Sequence, residues 1–385
     1  MKILLIVGNA NDIFITNMTK WLKKSMPDAT IDIFDFFHSN IQEENTYCDN
    51  LHSSNSNIWF NKVKIIQSLY PFYASRQLKK FLKGKHYDLI QCHRISPIIT
   101  LTNCLKKHCN KLFATFWGGE LDNVEKILFS KKIYNTKLDS FISRIDYVIN
   151  SKATLKRITE KYPSLAKKRI EAYLGSAPLE EVYKLMEKED KEASKEKLSI
   201  PTGKKVVLIG YSGKALHQHL PIIDELARRD DLKEKLHLLT PMTRGGNANY
   251  CDEVDAVLKK SGYTYTLLRD RFLNDEEVAR LRNATDITLQ FSTFDAFSRS
   301  IIECLCAKSV LVYGNWLDYK EHLANGRLIA HPVSTIEEGI DKLSEIANNI
   351  DKYSKEVEEN HINGKAKNLW SECIADWVNA YLNTK

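Results

Sequence analysis

The chain has 385 residues, 43% of them hydrophobic and 27% charged, with a formal net charge of +7. That length exceeds what one hydrophobic core usually organises, so two domains of about 180 residues are expected. The longest apolar runs, such as 206–210 and 287–291, are far shorter than the ~18 residues a membrane-spanning helix needs, which excludes a helical integral membrane protein.

Met1-Lys2-Ile3-Leu4-Leu5-Ile6-Val7-Gly8 reads as a buried first strand. It is too short for a signal peptide and no small-residue cleavage site follows, so a cytoplasmic location is expected. The eight cysteines are scattered and form no Cys-x-x-Cys pair, the pattern of reduced core thiols and not of a metal site. The moderate positive charge suits an anionic partner and equally an ordinary solvated surface.

Further strands are predicted at 30–34, 89–92, 111–116 and 147–150, with amphipathic stretches between them. This alternation is that of a parallel sheet flanked by helices. The charged, helix-like segment "LEEVYKLMEKEDKEASKEKLS" at 179–199 ends at Pro201-Thr202-Gly203. The boundary is expected there, with a first domain over 1–178, a linker over 179–200 and a second domain over 201–358. The second strand series runs 204–210, 236–241, 264–268, 287–291, 310–313 and 328–330. Trp370, Ile374, Trp377 and Tyr381 recur at helical spacing, which predicts one C-terminal helix over 359–385 packing back on the first domain.

Ligands of open parallel sheets bind beyond the carboxyl ends of the strands, so the turns there are where chemistry is sought. In "IGYSGKALHQHLPIIDEL", 209–226, a strand ends at Ser212-Gly213-Lys214 and a helix begins near His219, with Pro221 in its first turn. Small residues, free helix-start amides and Lys214 form a phosphate cradle or an ordinary loop. The stretch lacks the Walker and Gly-x-Gly-x-x-Gly patterns. A second turn, "PMTRGGNANY" at 241–250, supplies flexible glycines and Arg244, able to reach an anion.

The strongest pattern is "QFSTFDAFSRSIIECLCAKSVLVYGNW", 290–316. Ser298 can cap a helix whose first amides belong to Arg299, Ser300 and Ile301, a positive dipole end. Asp295 precedes that helix and Glu303 lies in its second turn. Carboxylates repel phosphate but accept well from vicinal hydroxyls, so the combination points to a ligand carrying both, a nucleotide sugar. In the first half, Gly118, Gly119, Glu120 and Asp122 follow the strand 111–116, His93 and Arg94 follow 89–92, and Asn9 follows the first strand. Glu120 and Asp122 are candidate general bases or hydroxyl ligands, and equally local capping groups. Residues 62–86 interleave Lys62, Lys64, Arg76, Lys79, Lys80, Lys83 and Lys85 with apolar and aromatic residues. Such a segment is either a solvated helix face or one that lies on an anionic membrane. No recognition motif accompanies it, which argues against nucleic acid.

The spacing Asp295-x7-Glu303 resembles the Glu-x7-Glu motif of GT-B glycosyltransferases, especially the family 4-like enzymes of bacterial surface polysaccharides, with aspartate in the first place. Ser212, Gly213, His219, Asn249 and Tyr250, with "YLGSAP" at 173–178, are similar to the fucosamine transferase family acting on the lipid-linked precursor of enterobacterial common antigen. "FWGGELD" at 116–122 departs from the family 4 histidine-glycine turn, so no histidine base is carried over. The resemblance implies an α/β GT-B fold, two Rossmann-like domains facing each other across a cleft, the second holding a nucleotide-sugar donor. It implies Glu303 on the ribose, Asp295 near the donor sugar, and Ser298, Arg299 and Ser300 with Lys214 or Arg244 at the diphosphate. Beside this mapping, Ser212 and Gly213 are expected at the diphosphate, His219 either there or simply supporting the helix start, and Glu120 and Asp122 as further catalytic carboxylates. Asn9, His93, Arg94, Gly118 and Gly119 would meet the acceptor, a lipid-linked or other glycan of O-antigen or capsule synthesis, at the inner face of the cytoplasmic membrane. No cofactor and no obligatory metal are implied. A nucleotide-sugar 2-epimerase of the same fold, or a catalytically silent nucleotide-sugar-binding partner, are the alternatives.

Overall fold

Continuous Ile/Val/Leu runs cannot present a polar face to water, so they settle in parallel sheets covered on both sides. A computed structural model describes residues 1–36, 47–54, 64–117, 131–295 and 297–384. They form two units, Met1–Gly175 with Cys373–Lys385, and Ser176–Glu372. Among the described residues no helix is long and apolar enough to cross a membrane.

The first unit holds β1 (Lys2–Val7), β2 (Thr30–Asp35), β3 (Asn50–Ser53), β4 (Tyr87–His93), β5 (Cys109–Thr115), β6 (Tyr147–Asn150) and β7 (Arg169–Glu171). They form one parallel sheet in the order β3-β2-β1-β4-β5-β6-β7. The helix Ile13–Ser25 returns from β1 to β2; the Asp12 side chain caps it by accepting from the Phe14 amide at 3.0 Å, and Ile15, Met18 and Leu22 are buried. The edge strands β3 and β7 were not expected. Their sequences, Asn-Leu-His-Ser and Arg-Ile-Glu, carry one apolar side chain each, as suits short polar edges that resist further pairing.

The C-terminal region is two helices, Ser354–Gly364 and Trp370–Asn383, where one was expected. The first stops at Gly364, whose backbone lies so close to the helix Arg299–Cys306 that an added Cβ would fall 2.1 Å from Cys306 Sγ. Asn368 then donates to the Gly364 carbonyl at 2.9 Å and closes that end. In the second helix Trp377 and Tyr381 are buried in the first unit, where Trp377 Nε1 donates to the Tyr173 carbonyl at 2.8 Å.

The second unit holds β8 (Lys205–Ile209), β9 (Leu236–Pro241), β10 (Thr264–Leu268), β11 (Ile287–Gln290), β12 (Val310–Gly314) and β13 (His331–Val333), in the order β10-β9-β8-β11-β12-β13. The last strand lies three residues beyond the expected 328–330. The Asn360 side chain explains the shift: it donates to the Ile329 carbonyl at 2.9 Å and accepts from the Ile329 amide at 2.7 Å, so this backbone is satisfied without a ladder. Segment 179–200 is largely helical, as Ala177–Met186 and Lys191–Lys197. Leu179, Val182 and Leu185 pack with Ala279 and Ile302 in the core of this unit.

In both sheets the strand order reverses direction, between β1 and β4 and between β8 and β11. A crevice opens at such a point outside the carboxyl ends of the strands.

Candidate functional site

Among the loops that leave the carboxyl ends of the second sheet are 210–218 after β8, 242–247 after β9, 269–274 after β10, 291–298 after β11 and 315–319 after β12. The first two are pressed together, glycine against glycine. The Gly213 amide donates to the Arg244 carbonyl at 2.8 Å, and an added Cβ on Gly213 would lie 2.8 Å from Gly246 Cα. Lys214, exposed, lies along the backbone of Gly245. It forms no ion pair among the described residues. The guanidinium of Arg244 sits 5.7 Å from the ring centre of Phe272, a residue 71% exposed. The two turns singled out in the sequence are therefore one structure. Beside it is a groove of about 390 Å³ lined by Gly245, Gly246, Asn247, Arg269, Arg271 and Phe272, among others, where the 14-residue helix Ala248–Ser261 begins.

Beneath Ser212 runs a buried chain of polar groups. Ser212 Oγ meets His217 Nε2 at 2.8 Å, and His217 Nδ1 meets Ser292 Oγ at 2.7 Å. Ser292 donates to Gln290 Oε1 at 3.3 Å. His217 is 1% exposed, and its pKa is pushed down to about 4, chiefly by burial, against the opposing pull of Asp295. A neutral imidazole has one donor and one acceptor nitrogen, so it can bridge the two hydroxyls and hold both loops in register. His219 is also buried, with Nδ1 3.2 Å from the Tyr250 hydroxyl and a pKa pushed down to about 3 by burial and by His217. Gly210, at φ +64°, is what lets these rings in: its added Cβ would be 2.9 Å from His219 Nε2. His219 thus packs under the loop.

The two carboxylates are tied into the protein. Asp295 accepts from four donors: the hydroxyls of Tyr211 at 2.7 Å and of Tyr319, the Gln290 amide at 3.2 Å and the Ser298 backbone amide at 3.1 Å. Glu303 is 4% exposed; Oε1 accepts from Ser176 Oγ at 2.7 Å and Oε2 from Arg282 Nε at 3.3 Å. Arg282 is itself 5% exposed, so the pair is an internal one. Ser298 stands at the N-cap position with an extended backbone but makes no side-chain cap bond; the aspartate three residues earlier satisfies the loop instead. Arg299 reaches Asn368 Oδ1 at 2.5 Å, and Ser300 is half-buried in the first turn. Trp316 Nε1 donates to the Ser292 carbonyl at 2.8 Å and joins the loop after β12 to the rest.

In the first unit, His93 and Arg94 end β4 beside the point of strand reversal. His93 is 1% exposed and neither ring nitrogen has a hydrogen-bond partner. It stacks on Trp377 at 6.3 Å, meets Trp117 edge-on at 6.4 Å, and burial pushes its pKa down to about 3. Arg94 adopts φ +62°, and its guanidinium is 5.9 Å from the Trp117 ring centre. Asn9 is exposed and its side chain accepts from the Asn11 amide at 2.9 Å. Gly118, Gly119, Glu120 and Asp122 lie outside the described residues.

No family model and no curated protein matches the chain in sequence. Solved structures do match. A glycosyltransferase from Rickettsia africae is 17% identical at a TM-score of 0.70, over 100% of this chain and 99% of its own. Anabaena HepE, solved in complex with UDP and glucose, is 14% identical at a TM-score of 0.65, over 99% of both chains. WaaG, a glycosyltransferase involved in lipopolysaccharide biosynthesis, is 11% identical at a TM-score of 0.66, over 99% of this chain and 100% of its own. The fold is that of GT-B glycosyltransferases.

On this GT-B framework, sequence reasoning reached the loops but missed much of what binds them together. His217, Ser292, Gln290, Tyr319 and Arg282 had no assigned role. The signal for His217 was its position five residues after Ser212 in a turn of small residues; Arg282 gave none, because its partner is on another helix.

Proposed function

We propose that the chain is a glycosyltransferase that moves a sugar from a nucleotide-sugar donor to a glycan acceptor. The observation that carries this reading is the paired loop of the second unit. Two glycine backbones in contact, an unpaired Lys214 above them and Arg244 beside an exposed Phe272 leave cationic and amide donors facing outward next to a groove. Cations and free amides at that face suit a diphosphate, and the exposed aromatic suits a flat nucleobase. The whole-length likeness to glycosyltransferases supports it.

In this reading Lys214, Arg244 and the Ser212 amide hold the diphosphate and stabilise the charge that develops on the leaving nucleoside diphosphate, while Gly213, whose amide is given to the Arg244 carbonyl, keeps the two loops together. The start of the helix Arg299–Cys306, with Ser298 and Ser300, adds its dipole. Asp295, held by its four donors, three of them on Oδ2, fixes the loop after β11 and has one lone pair of Oδ1 left for the donor sugar. Glu303, through Arg282 and Ser176, braces the same helix. His93 and Arg94, with Asn9, take the acceptor. Glu120 or Asp122 serves as base toward its hydroxyl, and Gly118 and Gly119 let it approach. The acceptor is a lipid-linked glycan of bacterial surface polysaccharide synthesis, as the fucosamine transferase resemblance suggests and as the likeness to WaaG supports.

The test is a thermal-shift and calorimetric panel of nucleoside diphosphates and nucleotide sugars on the wild-type chain and on Lys214→Met. A charge-assisted phosphate contact contributes about 1.5–3 kcal/mol, so the variant should lose roughly 10- to 150-fold in affinity with an unchanged melting temperature of the free protein. A panel in which no nucleotide raises the melting temperature would overturn the reading.

A further inference from the structure

Large aromatic side chains are costly to leave in water, so the place where they gather is informative. Among the described residues of the second unit, Phe272, Phe294 and Trp316 are the large aromatics that stay exposed, at 71%, 71% and 41%. Each lies in a loop at the carboxyl end of a strand: Phe272 after β10, Phe294 after β11 and Trp316 after β12. In the strand order β10-β9-β8-β11-β12, the turns after β9 and β8, with Arg244 and Lys214, stand between the first ring and the other two. Four steps of about 4.8 Å separate β10 from β12, about 19 Å in all, so Phe272 and Trp316 face different parts of a ligand. Along this rim the order is aromatic, cationic, aromatic.

Two features make the second aromatic end more than an accident of exposure. The first is that Trp316 is pinned. Its Nε1 donates to the Ser292 carbonyl at 2.8 Å, and its ring meets Phe291 at 6.3 Å. It also lies so close over the Gly314 backbone that an added Cβ there would fall 2.2 Å from Cζ2. A ring fixed in this way loses little freedom when a ligand covers its open side. Phe294, in the loop to which Trp316 is tied, meets no other ring among the described residues and stands next to Asp295. The second feature is charge. Loops 291–298 and 315–319 contain Asp295 and Asp318 and neither lysine nor arginine; Arg299 and Lys320 stand beyond them, in the helices that follow. The π-face of a ring is itself negative. Such a surface attracts polarised C–H bonds and hydroxyl donors and repels a carboxylate.

We propose that Phe294 and Trp316 form the stacking surface for the sugar of the donor, and that this sugar is a neutral hexopyranose, held by one C–H face and donating a hydroxyl to Asp295. The inference rests on the nucleotide-sugar reading above and names the class of sugar. A hexuronic acid would bring its carboxylate toward two aspartates and two negative ring faces.

The experiment is calorimetry of the full chain with UDP, GDP, dTDP, ADP and CDP and with the glucose conjugate of each. The readout is the ratio of the conjugate's affinity to the diphosphate's, in which the contacts of base and phosphates cancel. F294L and W316L should each lower that ratio about two- to twelvefold. F272L should leave it unchanged. W316F, which keeps a ring but loses the bond to Ser292, should keep most of the wild-type ratio, and the glucuronate conjugate of the same nucleoside should bind about tenfold more weakly than the glucose conjugate. If no diphosphate binds, the donor reading fails and this inference with it. If a diphosphate binds and its glucose conjugate does not, or the ratio is unchanged in F294L or W316L or falls equally in F272L, the stacking surface is overturned and the donor reading stands. Equal loss in W316F and W316L would assign Trp316 to bracing the loop and overturn its stacking role. A glucuronate conjugate that binds as tightly as the glucose conjugate would overturn the neutral class.

Discussion

Glu303→Gln separates a brace from a ligand contact. The side chain keeps its shape and can still accept from Ser176, but Arg282 loses its counter-charge in a site where the two partners are 5% and 4% exposed. At 3.3 Å and an effective dielectric constant of about 20, the lost attraction is about 5 kcal/mol. Relief of the carboxylate's own desolvation offsets part of it, so a net destabilisation of about 3–4 kcal/mol is expected, in the range found when one member of a buried pair is removed. For a unit of about 200 residues this is a fall in melting temperature of roughly 6–16 °C. Arg282→Met alone should cost a similar amount, and the double variant should be far less damaged than the sum, with a coupling energy of about 2–3 kcal/mol by chemical denaturation. If Glu303→Gln unfolds within about 0.5 kcal/mol of wild type yet loses nucleotide affinity, the bracing argument is refuted and the carboxylate is a direct ligand.

The paired loop makes a second demand. Gly213→Ala places a Cβ 2.8 Å from Gly246 Cα and 3.1 Å from the Met242 carbonyl, so the loops must part. A loss of about 1–3 kcal/mol in denaturant titration is expected, together with weaker nucleoside diphosphate binding by calorimetry. For pH, His217 and His237 at about 4 and His219 at about 3 lie below their ordinary 6.5. The unfolded chain therefore takes up protons that the folded chain refuses. Stability should be level above about pH 6.5 and fall as pH drops toward 4, by up to about 1.4 kcal/mol per pH unit for each histidine. His217→Asn should make urea-derived stability less steep in that window by about one proton. In the first unit, His93→Phe removes two unpartnered buried nitrogens and should raise stability by about 1 kcal/mol. If His93 meets the acceptor, kcat/KM for the acceptor falls in the same variant while donor affinity holds.

The strands were legible wherever an apolar run was long enough to be buried on both faces, as in β1 and β8. They were illegible where pairing depends on neighbours: β3 and β7 are polar edges, and β13 is displaced because Asn360, 31 residues away, binds the Ile329 backbone. The same distinction governs the site. Ser212 and Gly213 could be read as a turn from local composition, but His217 acquires its role only through Ser292, 75 residues further on. Helix capping by Ser298 followed from residue type alone; in the fold its side chain makes no cap bond, and its own backbone amide donates to Asp295.

The carboxylates show most clearly what local reading leaves out. In the sequence, Asp295 and Glu303 beside a helix start pose a conflict, since two negative charges should drive a phosphate away. The fold resolves it with partners that spacing cannot reveal. Arg282, from the preceding helix, neutralises Glu303 inside the protein, and two tyrosine hydroxyls, an amide side chain and a backbone amide spread the charge of Asp295. A charge satisfied within a buried network acts weakly beyond it, whereas Lys214, exposed and without an ion-pair partner among the described residues, is available to an anion at the surface. The loops around the strand reversal of the second sheet thus face outward with cations and free amides although the sequence supplies acids there. That polarity is what the anionic leaving group of the proposed reaction would require.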